Sequence, residues 1–215
     1  MLRAVLDRGA RLQLDSVWVP RRETLLTSGA DFREERLAAR LSHDTPVKSP
    51  SEEACKRAIL ATGLVTYYEL HKFPTGDGIH SYLPDFTMEL TIGGKQVMIE
   101  PHGFYSGAGY AGKEGREAIN KKRRAYLDKI RAFHEMHESS VYLVMVSDIP
   151  GKFLNGVADE YWKLNILSNR NMQRYECGEA RLVRLLNGLI RRSDQAEHVL
   201  AFQTAQELAV LARAS

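Results

Sequence analysis

With two cysteines in 215 residues, Cys55 and Cys177, the chain has no disulfide framework and no zinc-ligand spacing. They read as free thiols in a reducing compartment. Long apolar runs are also missing. Arg3, Asp7, Arg8, Arg11 and Asp15 break up the opening stretch, which excludes a signal peptide or a membrane span there and predicts a cytoplasmic chain with no membrane partner. Charge of one sign is scarce too: 30 Lys and Arg stand against 27 Asp and Glu, and the net +3 looks too small for a polyanion partner. What is present is ordinary for a globular chain, 44% hydrophobic and 27% charged, which excludes a disordered or fibrous protein. The length suits one substantial domain, with or without an extension.

Residues 1–48 read as an N-terminal extension, with a charged stretch of helical character around residues 32–41. A core follows over residues 49–150, then a mainly helical part over 151–215 that packs on it. Ser49-Pro50-Ser51-Glu52 is a helix start: Ser49 caps, Pro50 suits the first helical position, and Glu52 stands where a capping box places its carboxylate. That helix ends near Gly63. Residues 64–70 read as a strand and residues 73–78 as a loop. From Asp85 the chain alternates, with Phe86, Met88 and Leu90 on one face and Asp85, Thr87 and Glu89 on the other. Gly93-Gly94 is a two-residue hairpin turn, and residues 95–100 are the return strand. A glycine-rich segment leads into a long helix over about residues 116–136. The apolar run 141–146 predicts a strand buried on both faces. Two helices, near residues 180–191 and 195–212, end the chain. The order predicts an α/β fold with a central mixed sheet flanked by helices.

The hairpin carries the chemistry. Asp85 opens one strand and Glu100 closes its partner, so two hard oxygen ligands converge at one end of the sheet, as Mg²⁺ or Mn²⁺ requires. Pro84-Asp85, a Gly-Gly hairpin, and Ile99-Glu100-Pro101-His102 resemble the core of the PD-(D/E)xK nucleases. The preceding Ser-x-x-Glu helix and the run Tyr82-Leu83-Pro84-Asp85-Phe86 are most similar to the transposition endonuclease and Holliday-junction resolvase-like branches. The resemblance covers roughly residues 49–147. It implies a restriction-endonuclease-like core and a metal held by Asp85, Glu100, the Pro101 carbonyl and a helix glutamate. Glu53 is preferred for that last place, because Glu52 is occupied by the cap. The chain departs from the family where His102 stands at the lysine position. His102 acts as the base itself, or Lys121, Lys122 or Lys129 reaches in from the next helix, or the site only binds.

That next helix is basic. Between residues 113 and 131 eight cations face three carboxylates, a net +5, so the rest of the chain carries −2. Ile119, Tyr126, Ile130 and Phe133 form a stripe at helical period. Lys121, Lys122, Arg124 and Lys129 fall beside or opposite it and suit sequence-independent phosphate contacts, although such a run is also an ordinary solvated face. Two motifs are discounted. Gly107-Ala108-Gly109-Tyr110-Ala111-Gly112 matches GxGxxG but does not follow its strand directly and lacks the downstream acidic residue. It reads instead as a loop offering Tyr105 and Tyr110 for stacking. His134 and His137 lack a further ligand set. The expectation is a Mg²⁺- or Mn²⁺-dependent endonuclease acting on nucleic acid, DNA above RNA, with catalytic residues Asp85, Glu100, His102 and Lys122. The alternative is a catalytically inactive nuclease-fold protein that binds DNA or a protein partner, possible as a homodimer or within a larger complex.

Overall fold

Ser49 begins the first regular helix as its side chain dictates. Its hydroxyl accepts the Glu52 N–H at 3.2 Å and Pro50 takes the first turn of α1 (Pro50–Ala61). Thr62 caps the far end, and Gly63 follows with a φ of +70°, the left-handed turn that glycine adopts without strain. The computed structural model describes residues 36–75, 81–102, 113–147, 151–163 and 173–214. The residues read as the GxGxxG-bearing loop, with Tyr105 and Tyr110, and residues 1–35 lie outside these.

After α1 come β1 (Thr66–Tyr68), the two-residue strands β2 (Phe73–Pro74) and β3 (Ser81–Tyr82), then β4 (Phe86–Ile92) and β5 (Lys95–His102). The long helix α2 (Lys113–His137) leads to β6 (Val141–Ser147), a 3-10 turn at Gly151–Phe153, β7 (Glu160–Lys163), α3 (Gln173–Arg192) and α4 (Ala196–Ala214). Five strands form one mixed sheet in the order β1-β4-β5-β6-β7. The first three are antiparallel neighbours, and β5, β6 and β7 run parallel. β2 and β3 pair separately, β2 at the start of the stretch 73–78 read as a loop and β3 after it.

Helices cover both faces of the sheet. On one, α1 and α3 pack Ala54, Cys55, Ile59, Leu185 and Leu189 against Phe86, Met88, Ile99 and Val144. On the other, α2 packs Leu127, Ile130 and Phe133 against Met98, Leu143 and Met145. Each such buried side chain contributes about 1.5–3 kcal/mol. β6 lies inside the sheet and runs apolar from Val141 to Val146 because it is covered on both sides. Double coverage also explains why Thr87 and Thr91, on the supposed polar face of β4, are buried.

Two details add to these expectations. The part after residue 150 is mainly helical and also supplies β7, which contains Trp162 and extends the sheet beside β6. The last residues of the N-terminal stretch join the core, with Leu41 buried, Arg40 bridged to Tyr67, and Arg36 paired with Glu89. Among the described residues no helix is long and apolar enough to cross a membrane.

Candidate active site

The β4–β5 hairpin sets the site. Ile92 pairs with Lys95 around Gly93 (φ +59°) and Gly94 (φ +77°), the two-residue turn expected. Continued without interruption, that register would put Glu100 opposite Thr87. It is interrupted: between Thr87 and Thr91 the pairing shifts, and Phe86 faces Ile99. The bulge holds three residues of β4 against one of β5. One step beyond the Phe86–Ile99 pair, Asp85 stands opposite Glu100. The Asp85 N–H donates to Glu100 Oε2 at 3.2 Å.

Glu100 is buried at 2% exposure. The Tyr126 hydroxyl, from α2, donates to its Oε1. Burial pushes the Glu100 carboxyl upward; the Tyr126 and Tyr82 hydroxyls and the Asp85 N–H pull it back down. Asp85 is pushed well above the ordinary carboxylate range, first by burial and then by the charges of Glu100, Glu52 and Glu69. Lys48 opposes them. Two desolvated carboxylates of like charge therefore hold a proton more readily than either would alone.

The helix glutamate in this field is Glu52, which corrects the choice of Glu53. Glu53 forms ion pairs with Lys56 (2.9 Å) and Arg57 (3.8 Å) on the outer side of α1. Glu52 is buried, and its Oε2 accepts the Lys48 N–H at 2.9 Å and the Tyr68 hydroxyl at 2.6 Å. Its side chain therefore reaches Lys48 rather than the cap residue itself, so serving the helix start and facing the site are compatible roles. Glu69, at a φ of +48°, donates its N–H to the Asp85 carbonyl at 2.9 Å and pairs through its carboxylate with Lys48.

His102 does not have the environment of a base working near neutral pH. Its ring stacks on Tyr126 with centroids 4.0 Å apart, and burial, with the Arg123 charge, lowers its pKa to about 3. It is a neutral ring where the resemblance places a cation. On α2, Lys121, Lys122 and Arg124 are exposed and Lys129 is half-buried. The α2 side chain that reaches the acidic pair is Tyr126, not Lys122. Tyr126 was legible as part of the apolar stripe, and a buried phenol hydroxyl needs a polar partner. Lys48, Glu69 and Tyr82 carried no such signal. Pro101 is buried in β5 opposite Val146. His134 pairs with Asp159, and His137 contacts the Pro74 carbonyl at 3.1 Å and the Phe73 ring, so both have structural partners. Cys55 is a buried free thiol.

No family model, curated protein or solved structure matches the chain.

Among the described residues no three His, Cys, Asp or Glu side chains converge as a metal-ligand set. The donor chemistry still fits a hard divalent cation. Asp85 and Glu100 are adjacent oxygen donors whose mutual repulsion is offset in part by Lys48 at Asp85 and by the Tyr126 and Tyr82 hydroxyls at Glu100. Any ion held there has two carboxylate ligands, and oxygen from water, a backbone carbonyl or substrate would complete it.

Proposed function

We propose that this chain is a metal-dependent nuclease that hydrolyses phosphodiester bonds, acting as an endonuclease on DNA. The observation that carries the reading is the opposition of Asp85 and Glu100 across a bulged hairpin, with both carboxyls raised by burial. The order helix, three antiparallel strands, helix, parallel strand supports it, because it follows the restriction-endonuclease-like core that Pro84-Asp85 and Ile99-Glu100-Pro101 resemble.

Asp85 and Glu100 would hold Mg²⁺ or Mn²⁺, with the Pro101 carbonyl as the family's further donor. When bound, the ion offsets phosphate charge and lowers the pKa of a water. The chain's own residues position the reactants. Tyr126 and the Asp85 N–H fix both oxygens of Glu100, and the Glu69 N–H anchors the backbone at Asp85. Lys121, Lys122 and Arg124 offer an exposed cationic face for phosphates along the strand, a contact that weakens with salt.

Plasmid nicking tests this directly. Cleavage is expected with Mg²⁺ or Mn²⁺, absent with EDTA, and lost in Asp85→Ala. Salt-sensitive DNA binding that survives Asp85→Ala, without cleavage in the wild type, would instead support a catalytically silent DNA-binding module. The neutral, stacked His102 favours that second reading.

A further inference from the structure

His102, its ring stacked on Tyr126, stands where the resemblance places a lysine, so a nuclease site here needs its cation from elsewhere. The α2 lysines were the natural candidates, yet the α2 side chain placed on the acidic pair is a tyrosine. Among the described residues Lys48 is a cation whose charge acts on Asp85, and Glu69 first, then Asp85 and Glu52, act on Lys48 in turn. Its position is built by the chain. The Lys48 N–H is fixed on Glu52 Oε2, while its amine rests on Glu69, whose own N–H holds the Asp85 carbonyl. The side chain is 68% exposed, so the amine is free to exchange a surface carboxylate for an incoming anion.

A second feature of the same helix start points to a polar occupant. Ser51 is fully buried, and its Oγ has no hydrogen-bond partner among the described residues. It lies one turn before Cys55 on the buried stripe of α1. Cys55 packs in one core cluster with Phe86 and Ile99, the chain neighbours of Asp85 and Glu100, which places this stripe against the strands that carry the acidic pair. Buried hydroxyls in folded proteins are almost always satisfied, and an exception calls for a water, ion or ligand atom.

We infer that Lys48 supplies the positive charge missing at position 102 and contacts the scissile phosphate of a nucleic-acid substrate beside Asp85. This rests on the nuclease reading. An ammonium on a flexible stem acts as a point charge, suited to an anion that gains charge during reaction.

The test compares full-length Lys48→Ala, Lys48→Arg, Lys122→Ala and Lys95→Ala in plasmid nicking with Mn²⁺, alongside thermal melting. Lys95 lies at the opposite end of β5 and serves as the control. Lys48→Ala is expected to lower kcat about a hundredfold with little change in KM. Lys48→Arg should restore most of the rate, and Lys95→Ala should cut like the wild type. Wild-type kcat in Lys48→Ala, or the loss appearing in Lys122→Ala instead, overturns the inference. A loss that Arg does not restore, together with a lowered melting point, assigns Lys48 a structural role and also overturns it. The nuclease reading survives those results if Asp85→Ala is dead. A wild type that cuts nothing removes both.

Discussion

A hydroxyl left unpaired in the interior costs about 1–3 kcal/mol, and Ser51 carries one at the helix start beside Asp85 and Glu100. Ser51→Ala removes that cost while keeping the helix cap, which belongs to Ser49. Calorimetry is expected to show a higher melting temperature, by roughly 2–4 °C for about 1 kcal/mol in a chain of this size. Cleavage should fall at the same time. A stabilised variant with unchanged cleavage would show that Ser51 serves no bound group. Asp85 and Glu100 were legible because each lies near the end of a strand with a clear pattern, Asp85 just before β4 and Glu100 two residues short of the end of β5. The helix glutamate was not: successive helical residues differ by about 100° in direction, so only packing decides between Glu52 and Glu53. His102 was legible as a departure, but its stacking on Tyr126 depends on a residue 24 positions further along the chain.

Among elements, the β4–β5 hairpin links site to scaffold at both ends. At the far end Asp194, between α3 and α4, accepts the Gly93 N–H at 3.0 Å, the Gly94 N–H at 2.8 Å and the Thr91 hydroxyl at 2.7 Å. Those bonds hold the Asp194 carboxyl below its ordinary range, the Thr91 hydroxyl contributing most. Asp194→Ala is expected to cost about 1 kcal/mol, the solvent exposure of Asp194 limiting the loss. The cost should shrink in acid, because a group with a depressed folded pKa loses its contribution as pH falls. Urea unfolding at neutral and acidic pH checks this, and an equal cost at both would refute the assignment. The turn itself was plain in the sequence. The bulge was not, since no glycine or proline lies within residues 86–92, yet it brings Asp85 opposite Glu100. β7 was missed because it is four residues long, with Glu160 and Lys163 at its ends, and has no apolar run.

Over the whole molecule, two shifts of opposite sign shape stability against pH. Asp85 and Glu100 have raised folded pKa values, so the folded chain binds the extra proton and stability falls as pH rises above the ordinary carboxylate range. His102 is lowered from 6.5 to about 3, so the unfolded chain takes up its proton first and stability falls as pH drops below 6.5. Metal-free protein is therefore expected to melt at a lower temperature at about pH 9 than at about pH 7, with the decline flattened in Asp85→Asn. Mn²⁺ at alkaline pH should stabilise the wild type by about 2.7 kcal/mol at a hundredfold excess over Kd, raising its melting point, and leave Asp85→Asn unmoved. An Asp85→Asn midpoint that tracks the wild type would mean that the acidic pair is not the coupled site.

By itself the sequence determined the elements whose signals are local. These are the capped α1, the glycine turn, the apolar β6, the amphipathic α2 and the two carboxylates at strand ends. Local signals suffice there because capping, turn geometry and periodicity act over a few residues. Only the tertiary structure decided what surrounds the carboxylates. A two-residue slip in pairing sets Asp85 against Glu100, helix rotation turns Glu52 inward and Glu53 outward, and α2 presents Tyr126 rather than a lysine. Each depends on contacts between distant segments, whose burial and electrostatics outweigh any preference that neighbouring residues express.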